Sequence, residues 1–338
     1  MKKLVAIDIG TSKIKIITGT RSVRNVNKFK IQSVYYVDYE SFFSSELVFT
    51  EDIHRNHYRS NFNSIVHAIQ NALSKEAKSF VLYCTFNSRF SKIIPIKLHA
   101  SSKKRLKFAA NIYLEKIVTD LMEANYRIVE FDKQKNEGEI LLYSYRYDVF
   151  DDLLSLVDKT TYDVSIIEFD VICLANALSA NLIEDEQEQL LIDFGMSKTN
   201  ILLMKGEVIE ELIVSDTGLC SIIERIAQRL HINLNEAMKI FSEQQSNKLL
   251  EISEITWEEL IEPYLQQIFP DIDSILQKNN IPEILIAGGF ANNVTLRNSL
   301  KTISKKNIKI FNPFAKFDLD IEIKNPEQYA TAFGLFLR

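Results

Sequence analysis

Two stretches of this chain carry the same motif: Asp8-Ile9-Gly10-Thr11-Ser12-Lys13 and Asp193-Phe194-Gly195-Met196-Ser197-Lys198. Asp, Gly, Ser and Lys occupy the same columns in both copies. Apolar runs flank each copy, at 4–7 and 14–17 around the first and at 190–192 and 201–203 around the second. Apolar runs separated by a short turn that contains glycine predict β-hairpins. The motif therefore predicts two equivalent hairpins, each with an aspartate where its first strand ends.

A turn of this composition has the chemistry of a phosphate site. Successive backbone N–H groups in a Gly-Thr-Ser turn can point into one concavity that binds anions, and hydroxyl groups add further donors. The hydroxyl-bearing residues near the two turns are Thr11, Ser12, Ser197 and Thr199. Asp8 and Asp193 would hold Mg²⁺, which prefers a few carboxylates together with substrate phosphates. One copy alone is most often only a hairpin, whereas two facing copies predict a clamp around a polyphosphate.

Composition is that of an ordinary globular protein. The chain has 338 residues, of which 46% are hydrophobic and 25% are charged, so we expect about two domains with substantial cores. The net charge of −5 gives no indication of nucleic-acid binding. Three widely spaced cysteines, Cys84, Cys173 and Cys220, suit neither a disulfide framework nor a zinc site. They are interpreted as buried thiols in a reducing compartment.

The sequence also predicts a cytoplasmic protein that is not inserted in a membrane. Asp8 interrupts the N-terminal apolar run too early for a signal peptide. No stretch approaches the roughly 18–20 uninterrupted apolar residues that a spanning helix needs.

The pattern between the two hairpins predicts a separate small unit. A strand, a helix and two further strands are expected at 92–99, 103–122, 126–131 and 139–147, and they are interpreted as an inserted subdomain at 79–163. The helix begins with Lys103, Lys104 and Arg105, which form either a basic contact patch or, as is commoner, a solvated helix start. His54 and His57 are a conceivable metal pair, but the lack of a nearby third ligand favours a polar loop.

The second half of the chain is predicted to be mainly helical between two strands. Helices are expected at 222–230, from 235 onward, and at 257–276 with an interruption near Pro270. A buried strand at 284–287 runs into Gly288 and Gly289, whose lack of side chains allows a ligand to approach closely.

Together, the two hairpins, the alanine-rich helix near residue 175, the Gly288-Gly289 turn and the C-terminal helix resemble the actin-like ATPase superfamily. The resemblance implies an α/β fold of two duplicated, ribonuclease H-like halves around a nucleotide cleft, with an inserted small α+β subdomain. It implies a first half at 1–78, 164–186 and 328–338, the insert at 79–163, and a second half at 187–327 with a helical subdomain at about 222–280. Ala175 and Ala177 would cross Ala330 and Gly334 at a hinge.

The resemblance also implies a nucleotide site that binds ATP and Mg²⁺. The hairpins correspond to the two phosphate loops, the Gly288-Gly289 turn to the adenosine loop, and Glu236 with Lys239 to the pair that reaches the ribose and adenine. The implied nucleotide contacts are Asp8, Gly10, Thr11, Ser12, Lys13, Asp193, Gly195, Ser197, Lys198, Thr199, Gly218, Glu236, Lys239, Gly288, Gly289 and Phe290. Asp8 and Asp193 are the implied Mg²⁺ ligands, and no residue receives a catalytic role.

Within the superfamily, four stretches are similar to the PilM family of type IV pilus assembly proteins and, next, to the FtsA family of cell-division proteins. They are 8–15, 169–177, 312–314 and 332–338. Similarity to PilM implies a cytoplasmic scaffold, peripheral to the inner membrane, that docks the short cytoplasmic tail of a PilN-like membrane protein. Pilus motor and platform proteins are further implied partners, and a related secretion or competence machine is an equal setting.

Other functions stay open at this point. A FtsA-like filament former is one, and an active ATPase or small-molecule kinase is another. Phosphoryl transfer needs a group that positions the nucleophile, and the sequence places no third acidic residue at the γ-phosphate, so slow or absent hydrolysis is expected. The second turn departs from the family pattern at Met196 and Lys198. Lys198 would either contribute positive charge to a phosphate or point away from it.

Overall fold

The structure is a computed structural model that describes residues 2–11, 13–21, 29–38, 61–74, 76, 80–118, 122–182, 188–242 and 256–338. Ser12, His54 and His57 lie outside the described residues. In chain order the elements are β1 (Lys2–Ile9), β2 (Lys13–Arg21), β3 (Phe29–Asp38), α1 (Phe62–Leu73), β4 (Val81–Phe86), a 3₁₀ turn (Ser88–Phe90), β5 (Ser91–His99), α2 (Lys103–Ile117), β6 (Met122–Asp132), β7 (Glu137–Arg146), α3 (Tyr147–Lys159), β8 (Val164–Phe169), α4 (Asp170–Ser179), β9 (Glu188–Phe194), β10 (Thr199–Lys205), β11 (Val208–Ser215), α5 (Cys220–Leu230), α6 (Leu234–Ser242), α7 (Trp257–Lys278), β12 (Glu283–Gly288), α8 (Val294–Ser304), β13 (Asn307–Ile310), a 3₁₀ turn (Pro326–Tyr329) and α9 (Ala330–Phe336).

Two five-stranded sheets have equivalent topologies. Their strand orders are β3-β2-β1-β4-β8 and β11-β10-β9-β12-β13. In each sheet the first three strands form an antiparallel meander, and the last two add to it in parallel. The motif turns join β1 to β2 and β9 to β10, which are equivalent positions in the two sheets. The predicted α/β fold with duplicated halves is therefore confirmed.

Helices α4 and α9 pack against each other in a core that also contains residues of both large sheets. A Cβ added at Gly334 of α9 would lie 1.6 Å from the carbonyl oxygen of Cys173 in α4, so only glycine permits this approach. Ala175, Ala177, Ala330 and Ala332 are all buried in the same core. The predicted crossing of these two small-residue helices is confirmed.

A third sheet, of order β5-β7-β6, forms the insert. Helix α2 covers one face of it through Leu106 and Ala110, and Gly138 of β7 leaves the room that Leu106 occupies. The other face packs on α4 and β11 through a small cluster that contains Leu141 and Ile172. We call residues 91–146 the insert from here on.

The insert is narrower than the predicted range of 79–163. Strand β4 pairs with β1 and β8 inside the first sheet. Helix α3 packs in the core of the first half through Val149 and Leu153. The sequence pattern of β4 and α3 does not reveal which sheet they join, because either assignment buries the same apolar faces.

Two helix predictions were wrong at one point each. Helix α2 ends at Ile117 rather than 122, and the next residue, the β-branched Val118, is extended. Helix α7 runs through Pro270 without interruption. An interior proline costs roughly 3 kcal/mol, but α7 buries seven large side chains along its length, each worth about 1.5–3 kcal/mol.

Candidate functional site

Asp8 lies one residue before the end of β1, and both oxygens of its buried carboxylate accept hydrogen bonds. Lys15 lies directly opposite Asp8 in the β1–β2 ladder, and its ammonium donates to Asp8 Oδ2 at 3.1 Å. The hydroxyl of Thr85, at the end of the neighbouring strand β4, donates to Asp8 Oδ1 at 3.0 Å. The first hairpin therefore presents a compensated carboxylate at the carboxyl ends of two parallel strands.

Asp193 is the equivalent residue of the second hairpin, but its surroundings are less favourable. Asn200 lies opposite it in the ladder and donates to Asp193 Oδ2 at 3.2 Å. Burial raises the pKa of Asp193, and the attraction of Lys15 does not offset this, while Asp8 and Asp170 raise the pKa further. Asp193 is thus a partly buried carboxylate without a full ionic partner.

Lys15 is the central cation of this site. Burial alone would lower the Lys15 pKa, but the charges of Asp8 and Asp193 outweigh that effect, and its pKa is raised. Because Lys15 interacts with both aspartates, the two motif copies share one electrostatic site, as the facing-clamp prediction requires.

Lys198 of the second turn crosses to the first half of the molecule. Its ammonium lies 2.6 Å from Asp170 Oδ2, at the first residue of α4, and also donates to the Ser88 hydroxyl. The backbone N–H of Ser88 donates to Asp170 Oδ1 at 3.1 Å. The side chains of Lys198 and Asp170 are only 7% and 12% exposed. Lys198 therefore neither faces solvent nor stands unpaired, but forms a buried ion pair between the two halves.

Three further contacts join the second half to the first across the cleft. The Thr11 hydroxyl donates to the Ser197 hydroxyl at 3.0 Å. Arg89, from the 3₁₀ turn after β4, donates to the Ser197 carbonyl at 2.8 Å and pairs with Asp216 at 3.3 Å. With the Lys198–Asp170 pair, these contacts hold the second turn against the first half.

Glycines shape the second turn. A Cβ at Gly195 would lie 2.7 Å from the Lys198 carbonyl oxygen. A Cβ at Gly218 would lie 2.3–2.4 Å from backbone atoms of Met196, Ser197 and Lys198. Gly218 is therefore packed against the backbone of the turn, which leaves no room for a side chain. Its implied contact with a nucleotide stays a prediction. Gly10 has the milder equivalent, with 2.9 Å to the Lys13 carbonyl oxygen.

Two predicted site residues are occupied elsewhere. Lys13 lies 4.0 Å from the ring centroid of Tyr36 and 3.9 Å from Asp38, both on β3. The Thr199 hydroxyl is fully buried between the carbonyl of Thr217 and the hydroxyl of Tyr264, each at 2.7 Å. Neither group is among the contacts that join the two turns.

The Gly288-Gly289 turn leaves room for a ligand at one position. Gly288 has a φ of +97° and abuts Phe194, whereas a Cβ at Gly289 would meet no atom of the described residues within 4 Å. Phe290 is buried and stacks on Phe241 with 4.7 Å between the ring centroids, so it supports the turn from inside the second half.

Glu236 and Lys239 are exposed on α6. Glu236 also has a local role, because its carboxylate accepts from the backbone N–H of Asn233 at 3.3 Å while Asn233 accepts from the N–H of Glu236. That reciprocal pair starts the helix. Their predicted approach to a ribose and adenine stays a prediction.

Five residues of this site were missed in the sequence: Lys15, Thr85, Ser88, Arg89 and Asp170. Lys15 had a usable signal, since a tight hairpin after Asp8 places it directly opposite the aspartate. Thr85 also had a usable signal, because β1 and β4 are parallel neighbours and residues near their carboxyl ends lie at the same edge of the sheet. Ser88, Arg89 and Asp170 depend on how the halves close, which no local pattern encodes.

A trough runs between the insert, α4 and β11. One cavity of about 580 Å³ is lined by Ile96, Lys97, Arg127, Glu139 and Leu141 of the insert, by Ile172, Ala175, Asn176 and Ser179 of α4, and by Met204 and residues 207–210 of the second half, among others. A second cavity of about 420 Å³ shares Asn176, Ser179 and Glu207 with it. The two cavities together follow the length of α4.

The described residues show neither a ready-made metal cluster nor a membrane-spanning helix. Within the described ranges, no three His, Cys, Asp or Glu side chains are grouped so that they could hold a metal ion. Magnesium usually takes only one or two carboxylates and completes its shell with phosphate and water, so Asp8 and Asp193 fit that pattern. No helix in the described part of the chain is long and apolar enough to cross a membrane.

Comparisons with known proteins point to one family. The sequence profile of the type IV pilus assembly protein PilM matches residues 6–338. Among solved structures, a PilM–PilN type IV pilus biogenesis complex is similar, with a TM-score of 0.78, 14% identity and coverage of 99% of this chain and 97% of that chain. Ethanolamine utilization protein EutJ from Carboxydothermus hydrogenoformans follows with a TM-score of 0.56, 10% identity and coverage of 100% and 90%.

A more distant likeness is MreB5 of Spiroplasma citri bound to ADP, with a TM-score of 0.48, 10% identity and coverage of 100% of this chain and 96% of that chain. Among curated protein sequences, none matches this chain. At these identities, the likeness to solved structures shows the fold.

Proposed function

Because this chain belongs to the PilM family of type IV pilus assembly proteins, we propose that it docks the short cytoplasmic tail of a PilN-like inner-membrane protein. The protein is then a cytoplasmic scaffold that this tail holds beneath the inner membrane. Motor and platform proteins of the same machine are further proposed partners.

The observation that carries the proposal is the trough along α4. Its two cavities, of about 580 and 420 Å³, adjoin each other and share Asn176, Ser179 and Glu207 as lining residues. An elongated trough suits an extended peptide, which is a common mode of recognition. Apolar residues such as Leu141, Ile172 and Ile209 would receive alternate side chains of the tail.

One carboxylate oxygen in the trough favours a basic group in the tail. Glu139 and Glu210 line it, and both interact with one cation, Lys97, at 3.3 and 3.0 Å. Glu139 Oε2 is buried and has no hydrogen-bond partner among the described residues. A buried acceptor without a donor is unfavourable, so a basic group of a tail would satisfy it. Cytoplasmic segments beside membrane spans are enriched in Lys and Arg.

We propose further that ATP and Mg²⁺ bind between the two hairpins. The residues fit this group in two respects: Asp193 is a partly buried carboxylate with a raised pKa that a cation would stabilise, and Gly289 borders open space at the adenosine side. In this proposal Asp8 and Asp193 hold Mg²⁺ through water or directly, and Lys15 approaches a phosphate. The Thr11–Ser197 contact at 3.0 Å must open to admit the phosphates.

Nucleotide and tail would be coupled through geometry. The trough is lined by both halves, since Ile172 and Ala175 belong to the first and Met204 and Ile209 to the second. A ligand that fixes the angle between the halves therefore also fixes the width of the trough. In this proposal ATP binding regulates docking, and ATP hydrolysis is not required.

Slow or absent hydrolysis is part of the proposal. A third acidic residue lies near the two aspartates, although the sequence pattern did not place it there. It is Asp170, which interacts electrostatically with Asp193. Its carboxylate, however, accepts from Lys198 and from the Ser88 N–H. Both oxygens of this carboxylate are engaged in these contacts, so Asp170 is poorly placed to accept a proton from a nucleophilic water.

Calorimetric titration with a synthetic tail peptide that contains a basic residue tests the docking. Glu139→Gln keeps the size of the side chain and removes its charge, so we expect an affinity loss of about tenfold or more. Glu137→Gln in the same strand, which is not among the trough residues, is the matched control and should bind like the unaltered protein. Equal binding by both variants would contradict docking in the trough.

Nucleotide binding needs its own test. Gly289→Val adds bulk only to the open space, so thermal stability should hold while ATP–Mg²⁺ binding weakens at least tenfold in a calorimetric titration. An Asp8→Ala, Asp193→Ala double variant should lose binding altogether. If the unaltered protein binds no ATP–Mg²⁺, the nucleotide part of the proposal fails and the docking part stands.

A further inference from the structure

Helix α2 carries an exposed apolar pair that neither the trough nor the cleft uses. The side chain of Phe108 is 68% exposed and that of Ile112 is 41% exposed. They are four residues apart, so they are neighbours on one helix face. Leu106 and Ala110, which bind α2 to the insert sheet, are fully buried on the other side. Packing among the described residues does not explain an exposed aromatic side chain beside an aliphatic one.

The helix that carries this pair is predominantly basic. Five residues of α2 are basic and one is acidic, whereas the whole chain has a net charge of −5. Around the apolar pair, the exposed charged residues are the basic Lys104, Arg105 and Lys116 and the acidic Glu115, so cations predominate there. We call these three basic residues together with Phe108 and Ile112 the basic–apolar face.

We propose that the basic–apolar face binds the anionic phospholipid headgroups of a membrane surface. A helix that presents Lys and Arg together with Phe and Ile adsorbs in the headgroup region, where cations meet lipid phosphates and the apolar side chains enter the acyl boundary. The charge complementarity is local, because the rest of the chain is acidic and would be repelled. In this proposal the basic residues at the start of α2 form a contact patch rather than only a solvent-exposed helix start.

A lipid surface fits this face better than a protein partner does. A stable protein interface needs roughly 800 Å² on each side with an apolar core. Two apolar side chains on a convex helix do not provide such a core. Membrane adsorption needs less, since each Lys or Arg close to an anionic surface strengthens binding by about fivefold.

The position of the face is compatible with tail docking but does not depend on it. Helix α2 and the trough lie on opposite faces of the insert sheet. Helix and sheet layers are about 10 Å thick each, so roughly six to eight extended residues of a tail would reach from the bilayer around the insert. Weak adsorption through α2 would orient the protein, and the tail would hold it there.

Flotation of the full chain with vesicles, in the absence of any tail peptide, tests the proposal. Vesicles of equal parts phosphatidylglycerol and phosphatidylcholine should carry the protein at 50 mM salt, and binding should fall steeply towards 500 mM. Vesicles of phosphatidylcholine alone should not carry it. Equal binding to both compositions, or none to either, would overturn the proposal and would leave tail docking untouched.

Variants separate the two components of binding. Phe108→Ser with Ile112→Ser should weaken binding about tenfold at constant charge, as expected for losing an inserted aromatic side chain. Lys104→Glu with Arg105→Glu should abolish binding. The control variant combines Lys301→Glu with Lys316→Glu, at two exposed lysines outside α2. It changes the net charge by the same amount and should bind vesicles normally. The unaltered protein could instead be a dimer that the serine variant converts to a monomer, with normal binding to vesicles. In that case the face is an interface between copies of the chain and the proposal is wrong.

Discussion

The two copies of the Asp-x-Gly turn have lysine in the same column, yet these lysines have opposite surroundings. Lys13 lies against β3, 38% exposed, near the Tyr36 ring and the exposed Asp38. Lys198 is buried and pairs with Asp170 of the other half at 2.6 Å. A repeated motif thus sets the same backbone twice, whereas the chemistry of each copy is decided by the residues that face it from outside the repeat.

The carboxylates of the two copies differ in the reverse sense. Asp8 faces an ammonium, Lys15, across the ladder, whereas Asp193 faces the amide of Asn200. The first copy is therefore electrostatically satisfied within its own hairpin. The second copy has a carboxylate with no ammonium of its own hairpin beside it, but it contributes the ion pair that joins the halves.

Replacing the two lysines should give the largest contrast. Lys198→Met leaves Asp170 buried without its partner, and loss of one member of a buried pair costs about 3–5 kcal/mol in the free energy of unfolding. Lys13→Met removes only a partly exposed pair and should change it by about 0.5 kcal/mol or less. Denaturation in guanidinium chloride measures both. Adding Asp170→Asn to Lys198→Met should restore much of the loss, and equal effects of the two single variants would refute the contrast.

The two aspartates should respond in opposite directions. Asp8→Asn weakens hydrogen bonds to Lys15 and Thr85, and bonds to a charged group contribute about 1.5–3 kcal/mol, so the midpoint of thermal unfolding should fall. Asp193→Asn removes a carboxylate whose ionisation is disfavoured by burial, so the midpoint should rise at neutral pH. A fall in both midpoints would show that Asp193 is as well compensated as Asp8.

The advantage of Asp193→Asn should depend on pH. The pKa of Asp193 is raised above its ordinary value of 3.8 in the folded protein, so folding favours the protonated form. Its stabilising contribution is fully present below that value and is lost as pH rises through the folded pKa. The difference in unfolding midpoint between the variant and the unaltered protein should be largest at pH 7 and shrink towards pH 4. A constant difference would assign the effect to packing instead.

The hydroxyl contact between the turns should have the smallest effect. Thr11→Val and Ser197→Ala each remove one partner of a part-buried hydrogen bond, which contributes about 0.5–1.5 kcal/mol. A double-mutant cycle on the free energy of unfolding should show that the two losses do not add. Additive losses would mean that the turns do not touch in solution.

The sequence predicts the repeated part of this fold well because hairpins, buried strands and small-residue helices have local signals. The two motif turns, Gly334 on α9 and the N-cap Asn293 of α8 are all readable from neighbouring residues. The edge strand β11 was missed, although Gly206, with a φ of +58°, marks the turn before it. The Lys198–Asp170 pair was not predictable, since its members are 28 residues apart and meet only when the halves close.

The measurement that bears most directly on the account is the affinity of the tail peptide with and without saturating ATP–Mg²⁺, by calorimetric titration. The trough is built from both halves, so a nucleotide that fixes their angle should tighten peptide binding at least fivefold, the lower end of typical couplings. By reciprocity, the peptide should tighten ATP binding by the same factor. Identical peptide affinities in the two conditions, with both ligands bound, would contradict the coupling and leave two independent sites on one scaffold.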